Sequence, residues 1–436
     1  MTSFLLHLVV FLASVVALAA IPPSQDDFYV VPANVDSYKP GTILRHRNPP
    51  TPLLALNDTL VSLKAAHQIL YRTTDSFGNA TATVTTILVP QNADMSKVLS
   101  YQIPEDSSST SCAPSYALQL KDGAKSKLDI VLTNSQLLFI EAALQQGWVV
   151  LVPDHEGPQA AFLANIQAGQ AVLDGIRAAI KSSCFTGISR CPKLTMWGYS
   201  GGSLATNWAA ELQPSYAPEL HISGAAVGGT VPNISAVIVA VNEQLAAGLL
   251  PAGILGLANE YPDLKLLVDQ QLKPELKEKF YKPLSQCIVA NGLEFAFQDI
   301  LEYFENPMFI LNNPIPTRVI DENNLGKSTP RVPFYWYQGI KDEISPIQFT
   351  DELVSKYCSE GVSIEYLRQI GATHGENELN TSLSALAWLK DRMDGKQANS
   401  GCTRNDVHIT VQDPPGSGLV SKELLDSLVS LSEQSG

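Results

Sequence analysis

Gly198-Tyr199-Ser200-Gly201-Gly202 fits the pattern G-x-S-x-G, in which a serine hydroxyl is presented at a sharp turn from strand to helix. Glycines two places either side of the serine leave room where a Cβ would strike the neighbouring strand or helix. An apolar run with Leu194, Met196 and Trp197 precedes the turn, and a helix-compatible run from Leu204 to Leu212 follows it. Ser200 is therefore a candidate nucleophile. A serine hydroxyl attacks poorly at neutral pH unless a histidine takes its proton and a carboxylate fixes that histidine's tautomer.

Where such an elbow sits in a largely parallel α/β sheet, the partners follow it in the order serine, acid, histidine, on loops at the ends of strands. Of seven histidines, only His221, His374 and His408 follow Ser200. His221 comes too early for an acid to precede it, and His408 falls inside a strand-like run. His374, in Gly371-Ala372-Thr373-His374-Gly375, sits in a loop between strand and helix patterns and is the candidate base. Asp342 follows the apolar run Val332 to Gln338 and is the candidate acid; Glu343 beside it competes but reads as a solvated charge. Two donors must face the negative charge that develops on an attacked carbonyl. The Gly201 N–H follows from the elbow. No H-G-G-G exists to supply the second, which position assigns to Asp154 or its neighbourhood, in Pro153-Asp154-His155-Glu156-Gly157 after the run Trp148 to Val152. His155-Glu156 is not a zincin pair, because Gln159 stands where the second histidine is needed. No metal or organic cofactor is called for.

The elements that must hold these groups follow from periodicity. Gln68 to Arg72 and Thr81 to Val89 flank the turn residues Asp75 to Asn79 and predict a hairpin, with antiparallel pairing confined to it. Val98 to Gln102, Trp148 to Val152, the run into Ser200, His221 to Val227, Val332 to Gln338 and Val362 to Leu367 read as strands. They alternate with helical stretches near 134–146, 169–181, 204–212, 347–359 and 379–393, which predicts a mostly parallel sheet with helices on both faces. Residues 232–312 break that rhythm with helical, strongly apolar sequence and no clear strand, and read as an inserted helical cap. The core thus spans 21–231 and 313–436. Asp26 to Pro52 reads as an extended arm, and the tail beyond Cys402 as one short strand, Val407 to Val411, and then polar chain.

With 436 residues, 45% hydrophobic and 17% charged, the chain can bury a large core. A net charge of -14 argues against nucleic acid and anionic membranes as partners. Residues 1–20 are apolar and end in small residues, as a signal peptide does, although no Lys or Arg precedes them. No later run is long enough to span a membrane, so a secreted, soluble mature chain is expected. Asn57, Asn79, Asn233 and Asn380 begin glycosylation triplets. Six cysteines suggest three disulfides among fifteen possible pairings, with Cys184 and Cys191, which flank F-T-G-I-S-R, as the easiest local bridge.

Five segments, C-A-P-S-Y-A-L-Q from Cys112, P-D-H-E-G from Pro153, G-Y-S-G-G from Gly198, K-D-E-I-S-P from Lys341 and A-T-H-G from Ala372, resemble the fungal secretory lipase family of α/β-hydrolases over most of the chain after residue 20. The resemblance implies an α/β-hydrolase fold, ester hydrolysis by Ser200, Asp342 and His374, and an oxyanion hole at Asp154 and Gly201. It also implies disulfides Cys112–Cys287 and Cys358–Cys402, a cap over an acyl tunnel, and a lipid or ester substrate. Triacylglycerol lipase is the expected activity. An esterase or deacetylase for a small secondary metabolite, a secreted serine peptidase, and a catalytically silent lipid-binding fold are the alternatives.

Overall fold

A computed structural model of the chain describes residues 20–53, 62–119, 127–412 and 414–435. The expected signal peptide at 1–20, save its last residue, and the triplet at Asn57 lie outside the described residues. Ten strands form one sheet: β1 (Ile43–Arg47), β2 (Leu63–Thr74), β3 (Ala80–Pro90), β4 (Asp94–Gln102), β5 (Trp148–Pro153), β6 (Lys193–Tyr199), β7 (Ile222–Gly228), β8 (Phe334–Gly339), β9 (Ile364–Gln369) and β10 (Cys402–Val407). Their spatial order is β1-β2-β3-β5-β4-β6-β7-β8-β9-β10. From β5 to β10 every neighbour is parallel, as expected. Antiparallel pairing reaches further than the hairpin: β1 with β2, β2 with β3, and β3 with β5 all run antiparallel.

The period of two along each strand divides the core into two layers. In β8, Phe334 and Trp336 face one layer and Tyr335 and Tyr337 the other; in β6, Leu194 and Met196 oppose Trp197 and Tyr199. Helices Asn165–Lys181, Gly201–Tyr216 and Ile347–Ser359 cover the first face through Val172, Trp208 and Tyr357. Helices Lys127–Gln145 and His374–Met393 cover the second through Phe139, Leu383 and Leu389. A further helix, Lys422–Ser435, joins that second layer by burying Leu424 and Leu428. The tail is thus not simply polar; its leucines four apart share one helical face.

Between β7 and β8 the chain departs into a series of helices running from Ile234 to Asn323. They pack around a third apolar cluster that includes Leu255, Phe280, Phe295, Phe304, Phe309 and Val319. A disulfide, Cys112–Cys287, ties this insertion to the segment after β4, and Cys358–Cys402 ties the helix Ile347–Ser359 to the start of β10. Cys184 and Cys191, expected as a local bridge, are instead free, exposed thiols. Cys184 belongs to the short helix Ser183–Thr186, which Gly187 ends in the left-handed region, and Ser189 then donates its N–H to Met95 O. The intervening chain is pinned to β4 rather than closed into a loop that joins the two sulfurs. Asn79 is exposed in the hairpin turn, Asn233 caps the helix Ile234–Val241 by accepting the Ala236 N–H, and Asn380 lies half-buried on the helix that begins at His374. No helix among the described residues is long and apolar enough to cross a membrane.

β10 is an exposed edge strand held by β9 and by Cys358–Cys402 across 44 residues. Replacing both cysteines with serine is expected to lower unfolding free energy by about 2–4 kcal/mol, read as an earlier urea midpoint, with ester hydrolysis retained under native conditions.

Candidate active site

The elbow is built from steric necessity. Ser200 sits at φ 51°, ψ -123°, between β6 and the helix that starts at Gly201. Backbone so placed costs about 1–3 kcal/mol and persists only where its surroundings impose it. A Cβ on Gly198 would stand 2.2 Å from Gly202 O, and one on Gly202 would stand 2.0 Å from Gln102 O in β4. Ser200 also donates its N–H to Gly228 O at the end of β7.

His374 is the first residue of its helix, whose capping box is formed by Thr373 and Glu376. Its Nε2 lies 2.9 Å from Ser200 Oγ and its Nδ1 2.8 Å from Asp342 Oδ2. The Asp342 carboxylate, fully enclosed, also accepts from Gln338 Nε2 and from the Ile344 and Ser345 N–H groups, so its position is set before any substrate arrives. Glu343 turns away from the imidazole and accepts the backbone N–H of His374 at 2.9 Å. The Tyr199 hydroxyl donates to His374 O and its ring packs on the imidazole. Burial opposes charge on His374, but the Asp342 carboxylate outweighs it and raises the imidazole above its ordinary 6.5.

Asp154 is not beside Ser200. Its N–H donates to Val84 O, and its carboxyl accepts the Ser115 N–H at 2.8 Å and the Ser115 hydroxyl at 2.5 Å. Its N–H and both carboxyl oxygens are thus engaged with Val84 and Ser115, and it does not line the cavity that holds Ser200. The residue over the elbow is Asp106, whose Oδ1 lies 1.8 Å from where a Cβ on Gly201 would be and has no hydrogen-bond partner although it is buried. Sequence order hid it. Position after β5 and family resemblance point to Asp154, whereas the sheet places β4 beside the elbow strand β6, and Asp106 lies on the segment that leaves β4. The run Glu105-Asp106-Ser107-Ser108-Ser109 reads as polar loop in the sequence, yet all five residues are buried. Burial raises the Asp106 carboxyl to about 7, with the His374 charge opposing and Glu378 assisting. Near neutrality a large share of Asp106 therefore carries a proton it can donate. The Gly201 N–H is in the first helical turn, where no intrahelical acceptor exists.

Ser200, Gly201 and Asp106 help to line an otherwise apolar cavity. Phe162, Leu163, Leu204 and Val231 line it from the sheet domain, and Ile234, Ile238, Leu250, Ile254, Leu257 and Ile320 from the insertion.

Residues 123–401 match the family described as Secretory lipase. The chain belongs to the secretory lipase family. Among similar proteins, Lipase A of Arthroderma benhamiae is 43% identical over 95% of this chain and 88% of its own length. A trichothecene C-3 esterase of Fusarium sporotrichioides is 37% identical over 89% of this chain and 88% of its own. The crystal structure of Candida antarctica lipase A in its closed state superposes with a TM-score of 0.83 at 29% identity, covering 95% of this chain and 96% of that one. The fold is accordingly that of an α/β-hydrolase, and the secretory lipase relatives make this chain an ester hydrolase.

A group whose folded pKa is raised stabilises the fold fully below its ordinary value, and that contribution is lost as pH climbs through the raised value. The stability difference between the wild type and His374→Ala, measured by urea unfolding, is expected to shrink as pH rises above about 6.5.

Proposed function

We propose that this secretory lipase is a serine hydrolase of triacylglycerols, exported from the cell and working through an acyl-enzyme. The observation that carries the reading is the 2.9 Å contact of Ser200 Oγ, in the lining of an apolar cavity, with a histidine whose other nitrogen is 2.8 Å from a buried aspartate. Ser200 Oγ attacks the ester carbonyl as His374 Nε2 takes its proton, and Asp342 holds the imidazolium. The oxyanion receives the Gly201 N–H and the O–H of protonated Asp106. His374 then returns its proton to the leaving alkoxide, and water repeats the sequence on the acyl group.

The cavity favours a long acyl chain, because its lining is almost wholly aliphatic and aromatic. The insertion also displays Val239, Leu245, Leu293 and Phe297, each 66–68% exposed, a surface suited to a lipid–water boundary. The trichothecene esterase relative favours a second reading, a small acetylated metabolite as substrate. Hydrolysis of emulsified long-chain triglyceride against soluble acetyl esters separates the two, with loss of activity and of fluorophosphonate labelling in Ser200→Ala as the control for mechanism. A Cβ at Gly253 would meet Leu163 Cδ1 at 2.7 Å. Gly253→Leu is therefore expected to reduce kcat/KM for p-nitrophenyl palmitate at least ~10-fold relative to the butyrate.

Asp106→Ala is expected to lower kcat about 100-fold. Asp106→Asn, which donates an N–H at every pH, is expected to keep most activity. In a pH–rate profile it should also lose the decline that deprotonation imposes on the wild type as pH rises through about 7.

A further inference from the structure

Asp154, His155 and Glu156 are almost fully buried at the end of β5, yet none of them lines the cavity beside Ser200. All three side chains reach one stretch of chain, residues 103–115. Going along it, His155 Nε2 bonds Ile103 O at 2.9 Å, the Glu156 carboxyl accepts the Ser107 N–H with both oxygens at 3.3 and 3.4 Å, and Asp154 takes the N–H and hydroxyl of Ser115. Between these attachments Asp106 adopts φ 45°, a conformation that a residue with a Cβ holds only when its neighbours impose it.

We infer that Glu156 is a positioning residue for the oxyanion side of the site: by receiving the backbone N–H of Ser107, the residue next to Asp106, it holds the Asp106 carboxyl over Gly201. His155 fixes the start of the same stretch at Ile103. The inference rests on the reading of Asp106 as an oxyanion donor. Glu156 is itself immobilised, since its carbonyl accepts the Ala161 N–H and Gln167 Nε2. A Cβ on Gly157 would collide with the Gln167 amide at 2.4 Å, which keeps that glutamine pressed against the turn. Burial, with Glu105 and Asp106 nearby, raises the Glu156 carboxyl well above the usual range. A carboxyl raised in this way disfavours a negative charge beside a developing oxyanion. His155 is held neutral by burial, down to about 4, which suits a single Nε2–H donated to a carbonyl.

The test is a double-mutant cycle on the full-length enzyme with p-nitrophenyl butyrate, with thermal unfolding of each variant alongside. Glu156→Leu keeps the bulk and removes the acceptor; it is expected to lower kcat about 30-fold with KM changed less than about 2-fold, as loss of a contact made in the transition state does. Glu156→Gln keeps an acceptor and is expected to stay within about 3-fold of the wild type. In an Asp106→Ala background, Glu156→Leu is expected to cost no more than about 2-fold further, because its effect runs through Asp106. Equal losses in both backgrounds, a Gln variant as impaired as the Leu variant, or a fully active Leu variant beside a crippled Asp106→Ala enzyme would overturn the inference and leave the reading of Asp106 standing. Wild-type kcat in Asp106→Ala would overturn that reading, and this inference with it. Glu156→Met repeats the cycle if the Leu variant does not fold.

Discussion

The structure depends on one strained residue. Ser200 is held at a positive φ by two glycines that allow β4, β6 and the following helix to close upon it. Nothing local favours that conformation; the surrounding layers impose it. Trp197 and Tyr199 anchor the strand before the turn in one core layer, while Leu204 and Trp208 anchor the helix after it in the other. The hydroxyl is thereby aimed at His374 without depending on the flexible serine side chain alone to find it. The imidazole is fixed in the same way, by a buried carboxylate that has its own backbone donors and by a capped helix whose first residue it is.

The opposite side of the site is organised by polar rather than apolar burial. Glu105 to Ser109 and Asp154 to Glu156 are all nearly inaccessible, an expensive arrangement unless every group is paired or neutral. Asp106, Asp154 and Glu156 are all pushed upward by burial, so the cluster can exist without several buried negative charges. Under the proposed mechanism that shift serves the chemistry, because a region that receives a developing oxyanion must not already repel it.

Much of this was legible in the sequence, for a physical reason. A nucleophile elbow needs glycines at fixed offsets, and strand and helix periods advertise the layers, so Ser200, Asp342 and His374 could be ordered along the chain and are found within hydrogen-bonding distance. The pairs Cys112–Cys287 and Cys358–Cys402 came from resemblance, since spacing alone leaves fifteen pairings open. What the sequence conceals is lateral order. β4 and β5 exchange places in the sheet, and nothing in either strand's composition says which one lies beside β6. With β4 beside β6, Asp106 rather than Asp154 lies over Gly201. The free thiols of Cys184 and Cys191 have a similar origin, because a short spacing invites a bridge while contacts with β4 decide the path between them.

The Cys112–Cys287 disulfide joins positions 175 residues apart, one on the stretch that carries Asp106 and the other in the insertion that walls the cavity. Ser107 Oγ and Asn259 Nδ2 add polar links between the same two regions. The wall of the cavity and the backbone that carries Asp106 are therefore mechanically joined. Under the proposed mechanism, any displacement of the insertion would pull, through a covalent tether, on the residue that faces Gly201.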